Sequence, residues 1–96
     1  MQVDLELEGP NSAHSYFLIS DKSDAIADRI LHEMDRGVTA LNALGMYKKT
    51  EQQVLLCVVN RFQTVHLRRL VFAIDPAAFV IAIKAHEVLG EGFKPM

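Results

Sequence analysis

A chain of 96 residues has the length of one domain, because a single core supports roughly 100 to 200 residues, and this excludes a separate second catalytic domain. Half of the residues are hydrophobic and 23% are charged, with only 5 Gly and 3 Pro, so apolar burial can offset the ordering entropy and intrinsic disorder is excluded. Ten Lys plus Arg against 12 Asp plus Glu leave a net charge of −2, without the basic excess of a nucleic-acid binder; residues 36–96 hold eight bases against four acids, and any anion-binding surface is expected there.

In residues 1–13, Val3, Leu5 and Leu7 alternate with Asp4, Glu6 and Glu8 before Gly9-Pro10-Asn11-Ser12 breaks the pattern, which reads as a linker or an edge strand ahead of a single domain over 14–96. Ser15 to Ile19, with Tyr16-Phe17-Leu18-Ile19, reads as the first strand, ended by Ser20-Asp21-Lys22-Ser23. Ile26, Ala27, Ile30, Leu31 and Met34 follow helical spacing, with Asp24 in the first turn and Gly37 as the expected cap, so the first helix is expected from about Lys22 to Asp35. Val38 to Met46 reads as a strand, Lys48-Lys49-Thr50-Glu51-Gln52 as a turn, and Gln53 to Val59 as a further strand, together a hairpin with the lysines near its tip. Leu67, Leu70, Val71 and Ile74 form one stripe of a second helix that Asp75-Pro76 ends, because proline lacks the N–H and disfavours a helical predecessor. Phe79 to Ile83 reads as the fourth strand, and His86 to Phe93 as a tail holding Gly90 and Gly92.

The order strand, helix, strand, strand, helix, strand predicts an α+β, ferredoxin-like β-α-β-β-α-β sandwich with both helices on one sheet face. A water-facing second sheet face calls for polar residues in alternation, yet Val54 to Val59 and Phe79 to Ile83 are apolar on both faces. Val65 and Phe72 lie nearly opposite the buried stripe of the second helix. A domain of this size buries only about 60 to 65% of its unfolded surface, so self-association through the open sheet face is expected. No apolar stretch exceeds the seven residues Ala77 to Ile83, where a membrane-spanning helix needs about 20, and the N-terminus lacks the basic and apolar regions of a secretory signal.

Six runs carry a resemblance: Tyr16-Phe17-Leu18-Ile19-Ser20-Asp21-Lys22, Arg36-Gly37-Val38-Thr39, Leu44-Gly45-Met46-Tyr47, Val54-Leu55-Leu56-Cys57-Val58-Val59, Ile74-Asp75-Pro76-Ala77-Ala78-Phe79-Val80-Ile81 and His86-Glu87-Val88-Leu89-Gly90-Glu91-Gly92-Phe93. Together they resemble the C-terminal domain of YitT-type bacterial membrane proteins, over residues 3–94. The resemblance implies a soluble domain on the cytoplasmic face of the bacterial cell membrane, cut from a longer protein, with a fold similar to PII-like signalling proteins. It implies a homo-oligomer, a trimer before a dimer, and a small anionic effector such as a nucleotide in a cleft between subunits, near Gly37, Thr39, Gly45, Tyr47, Lys48 and Lys49. Ala43 stands two positions before the hairpin glycine, where a small residue or glycine is common, but Lys48-Lys49 depart from the family pattern by following Tyr47 where Thr-Gly is common.

These residues also have plainer readings. Gly37 suits a helix cap, Gly45 a bulge, and Lys48 and Lys49 a solvated turn. Arg61, Arg68 and Arg69 give the second helix a basic side, with Arg61 and Arg68 seven positions apart and able to reach an anion or an acidic neighbour. His86 and Glu87, with Gly90, Gly92 and Phe93, read as a tail anchor. His14, His32 and His66 fall on separate elements without ligand spacing, so no metal and no cofactor are expected. The lone Cys57 sits in an apolar strand, no nucleophile–base set can be assembled, and the chain reads as non-enzymatic. Two functions remain: an effector-sensing regulatory domain that biases the membrane portion, or an oligomerisation scaffold without a ligand.

Overall fold

A computed structural model describes residues 13–85. The sequence periodicities resolve into β1 (Ala13–Ile19), a first helix α1 that is α-helical over Ser23–Arg29 and continues as a π-helical turn over Ile30–Met34, β2 (Val38–Gly45), β3 (Thr50–Asn60), a 3-10 turn (Arg61–Gln63) leading into α2 (Thr64–Ile74), and β4 (Phe79–Ala85). The strands form one sheet in the order β2-β3-β1-β4, every pair antiparallel. Each helix connects two strands that flank a third, which is the ferredoxin-like split arrangement expected from the element order.

Both helices pack on the same face. Tyr16 and Leu18 of β1 and Leu55, Cys57 and Val59 of β3 meet Ile26, Ile30 and Met34 of α1 and Leu67, Leu70 and Val71 of α2 in one buried cluster. The predicted α2 stripe is therefore the buried one, with Ile74 packed at its edge and Val65 and Phe72 exposed on the far side. Among the described residues, neither Tyr16 Oη nor His14 Nε2, both buried, has a hydrogen-bond partner.

Three local expectations change. The first helix widens into a π turn after Arg29, and its buried positions step by four through Ile26, Ile30 and Met34; the wider winding keeps Met34 in line while Leu31 turns outward. Its cap is Asp35 in the left-handed region at φ 54°, not Gly37, which follows two residues later. A carboxylate there faces the negative end of the helix dipole, in a conformation that glycine adopts without strain. Asp35→Gly should therefore raise stability by about 1 kcal/mol, or roughly 4 to 8 °C in melting temperature by calorimetry. A lowered melting temperature would show that the Asp35 side chain contributes more than its backbone costs. Finally, β1 begins at Ala13 rather than Ser15, and residues 1–12 lie outside the described part.

Among the described residues, no helix packs on the other sheet face. In register, Leu41, Val54, Ile19 and Phe79 form one row across the four strands, and Thr39, Leu56, Phe17 and Ile81 form the next. Val58, Ser15 and Ile83 make a third row on β3, β1 and β4. Phe79, Ile81 and Ile83 of β4 and Leu41 of β2 are all exposed, as the non-alternating strands lead one to expect.

Candidate functional site

The hairpin of β2 and β3 is longer than the sheet that carries it. β1 pairs with β3 only as far as Ile19 opposite Val54, whereas β2 stays paired with β3 through Asn42–Gln53, Ala43–Gln52, Leu44–Glu51 and Gly45–Thr50. Those four pairs form an arm, and Met46, Tyr47, Lys48 and Lys49 form its tip. Thr50, Glu51 and Gln52, expected in the turn, are strand residues of this arm; their polarity reflects a ladder that no third strand covers. The register runs through Gly45 without an extra residue, so no bulge forms there, and a Cβ at Gly45 would meet its neighbours only at 3.5 Å, an ordinary contact. Lys49 takes the left-handed backbone that closes the turn, at φ 57°.

The candidate ligand residues separate along β2. Gly45, Tyr47, Lys48 and Lys49 gather at the arm, while Gly37 and Thr39 lie at the opposite end of the strand, about 20 Å away at 3.3 Å per residue. Thr39 stands on the open sheet face opposite Leu56. Arg61 belongs to the 3-10 turn and not to α2, so the seven-residue helical relation to Arg68 does not hold. Its guanidinium lies 5.1 Å from the centre of the Phe62 ring, and that of Arg68 lies 6.0 Å from the Tyr16 ring. His86, Glu87, Gly90, Gly92 and Phe93 lie outside the described residues.

Two residues at the Gly37 end escaped the sequence reading. Asn60 Oδ1 accepts from the N–H groups of Phe62 and Gln63, and Gln63 Oε1 accepts from the Asn60 N–H at 3.1 Å, a reciprocal capping box that ends β3 and starts the next helical segment. Gln63 Oε1 also accepts from Arg36 Nε at 2.9 Å, and its amide reaches the Met34 carbonyl at 3.5 Å. One glutamine thus joins the end of α1, the start of β2 and the entry to α2. The signal was present as Asn60-x-x-Gln63 just before an apolar stripe.

Concave surface flanks the base of the arm. An open depression of about 650 Å³ is lined by Asn42, Ala43, Leu44, Glu51, Gln52 and Gln53. A second of about 260 Å³ lies between Ile19, Gln52 and Phe79 and the polar group Ser20, Asp21, Lys22 and Asp75. In the latter, Ser20 Oγ donates to Asp75 Oδ2 at 2.5 Å and the Ala77 N–H donates to Asp75 Oδ1 at 2.9 Å, while Lys22 Nζ reaches the Ile74 carbonyl at 3.4 Å. The Ser20 hydroxyl first, and the Ala77 N–H second, hold the Asp75 carboxyl below its ordinary pKa. A depressed folded-state pKa contributes stability that is complete above the unfolded value of about 3.9 and is lost as pH falls through the folded value. The stability gap between wild type and Ser20→Ala should therefore shrink between about pH 5 and pH 2 in urea unfolding. A gap constant over that range would remove Asp75 as the acceptor that matters.

Burial pushes the Cys57 thiol up to about 11, so it is protonated and unreactive at neutral pH. Among the described residues no three His, Cys, Asp or Glu side chains are grouped to hold a metal ion. Arg29 pairs with Glu33 one turn on in α1, and Glu33 Oε1 lies 3.5 Å from His66 Nε2 of α2.

The family described as "Uncharacterized protein conserved in bacteria (DUF2179)" matches residues 36–90, more than half of the chain. The chain belongs to the DUF2179 family. Its relatives include the UPF0750 membrane protein YpjC of Bacillus subtilis, 45% identical over 91 residues, which are 95% of this chain and 31% of that protein. They also include the UPF0750 membrane protein YitT of the same organism, 26% identical over 73 residues, which are 76% of this chain and 26% of YitT. The DUF2179 chain thus spans about a third or less of these membrane proteins. This is the partial coverage that the YitT-type resemblance implies. A crystal structure of a DUF2179 protein from Eubacterium ventriosum is 41% identical, covers 74% of this chain and 97% of that one, and superposes with a TM-score of 0.66. Among the described residues of this DUF2179 domain, no helix is long and apolar enough to cross a membrane.

Proposed function

We propose that this DUF2179 domain is a non-enzymatic self-association module of a bacterial membrane protein, binding further copies of itself through the open sheet face. The observation that supports this most is the rows of apolar side chains on that face, where Phe79 is 61% and Ile83 49% exposed in the single chain. Four strands about 4.8 Å apart and rows about 7 Å apart make a plate roughly 19 by 20 Å, the scale of the apolar centre of an interface that takes about 800 Å² from each partner. Three copies turning their plates to a common axis follow the PII-like resemblance; two plates stacked about 10 Å apart are the alternative. Sedimentation equilibrium of the chain at micromolar concentration tests the reading: a trimer or dimer supports it, and a monomer removes it.

A second reading adds regulation by a small anionic effector, such as a nucleotide, held between subunits on the cytoplasmic side. It is favoured by the division of cations between the two ends of β2, Arg36 and Arg61 at one and Lys48 and Lys49 at the other. Only a neighbouring copy can bring opposite ends of the strand together around one ligand. A thermal-shift screen of nucleotides separates the readings, since a ligand at 100 times its dissociation constant adds about 2.7 kcal/mol to stability. An intact oligomer with no shift across the screen leaves the scaffold alone.

A further inference from the structure

We propose that the tip of the arm formed by β2 and β3 is a membrane-contact site that seats on anionic phospholipid headgroups. Tyr47 is 97% exposed, Met46 65% and Leu44 51%, so three large apolar or amphipathic side chains at one end of the molecule present half or more of their surface to solvent. Lys48 and Lys49 stand beside them, and Glu51 is the one acid among residues 42–53, leaving the arm with a net positive charge in a chain that is negative as a whole. A tyrosine whose ring enters the interface, flanked by lysines that stay at headgroup level and by a flexible methionine, is the side-chain set that membrane surfaces select.

The shape of the arm supports this occupant. Its four terminal pairs project beyond β1, so the tip reaches a flat surface before the sheet does. The relatives of this chain are membrane proteins of which it spans a part, so the domain works close to a bilayer and a weak contact suffices once tethered. The contact needs neither self-association nor a soluble effector.

Vesicle co-sedimentation of the unmodified chain at millimolar lipid and low salt tests the site. Binding is expected to vesicles holding about a third phosphatidylglycerol and to fall steeply as salt is raised. At about fivefold per lysine near an anionic surface, the double variant K48Q/K49Q should partition about 30-fold more weakly while keeping its circular dichroism spectrum. Because the chain has no tryptophan, Tyr47→Trp places one reporter at the tip, and its emission should shift to the blue with anionic vesicles only. Absence of binding, equal binding to neutral phosphatidylcholine, or binding that K48Q/K49Q leaves unchanged would each overturn the proposal. So would a reporter that answers to soluble glycerol phosphate and not to vesicles, which points to a small anion instead.

Discussion

Leu70→Ala is expected to lower the unfolding free energy by about 2 to 5 kcal/mol, a large share of the 5 to 15 kcal/mol that domains of this kind possess. Leu70 is 3% exposed and lies between Leu67 and Val71 on the α2 face that closes over Tyr16, Leu18 and the inner residues of β3. Truncation there loses the transfer energy of the removed carbons and leaves a cavity that a rigid sheet cannot close. Val65→Ala, on the exposed side of the same helix, should cost less than about 1 kcal/mol. Chemical unfolding of both variants checks the assignment, and a reversed order would mean that the other face of α2 is the buried one.

The second large effect is on assembly. Ile81 sits on the edge strand β4, in the middle row of the open face with Phe17, Leu56 and Thr39. Ile81→Glu leaves the helical side of the sheet untouched but places a charge where another copy is proposed to exclude water. Burying an unpaired carboxylate costs several kcal/mol, so the association constant should fall by roughly a hundredfold or more. Sedimentation should then show monomer at concentrations where the wild type associates, with the fold retained by circular dichroism. Association that survives this substitution would move the interface away from the open face.

Much of the architecture was legible in the residues because it depends on local periodicity. The stripe Leu67-Leu70-Val71-Ile74 stopped by Asp75-Pro76, the apolar run Val54 to Val59 and the order of six elements leave few topologies once crossover handedness is included. What periodicity missed was local winding and reach. A π turn over Ile30–Met34 and a cap at Asp35 rather than Gly37 depend on how the helix meets the sheet, and the polar composition of Thr50-Glu51-Gln52 looks the same in a turn as in a strand solvated on both sides.

The candidate site divides in the same manner. Residue types and their order are enough to tell which positions carry positive charge, that both faces of β3 and β4 are apolar, and that Lys48 and Lys49 stand at a hairpin tip. Strand register and packing were needed to place Gly37 and Thr39 at the far end of β2 from Gly45 and Tyr47, to take Arg61 out of the helix carrying Arg68, and to join three segments through Gln63. The physical reason is that charge and hydropathy belong to each residue, whereas proximity belongs to the register: an extended strand sets its ends about 20 Å apart however closely they follow in sequence.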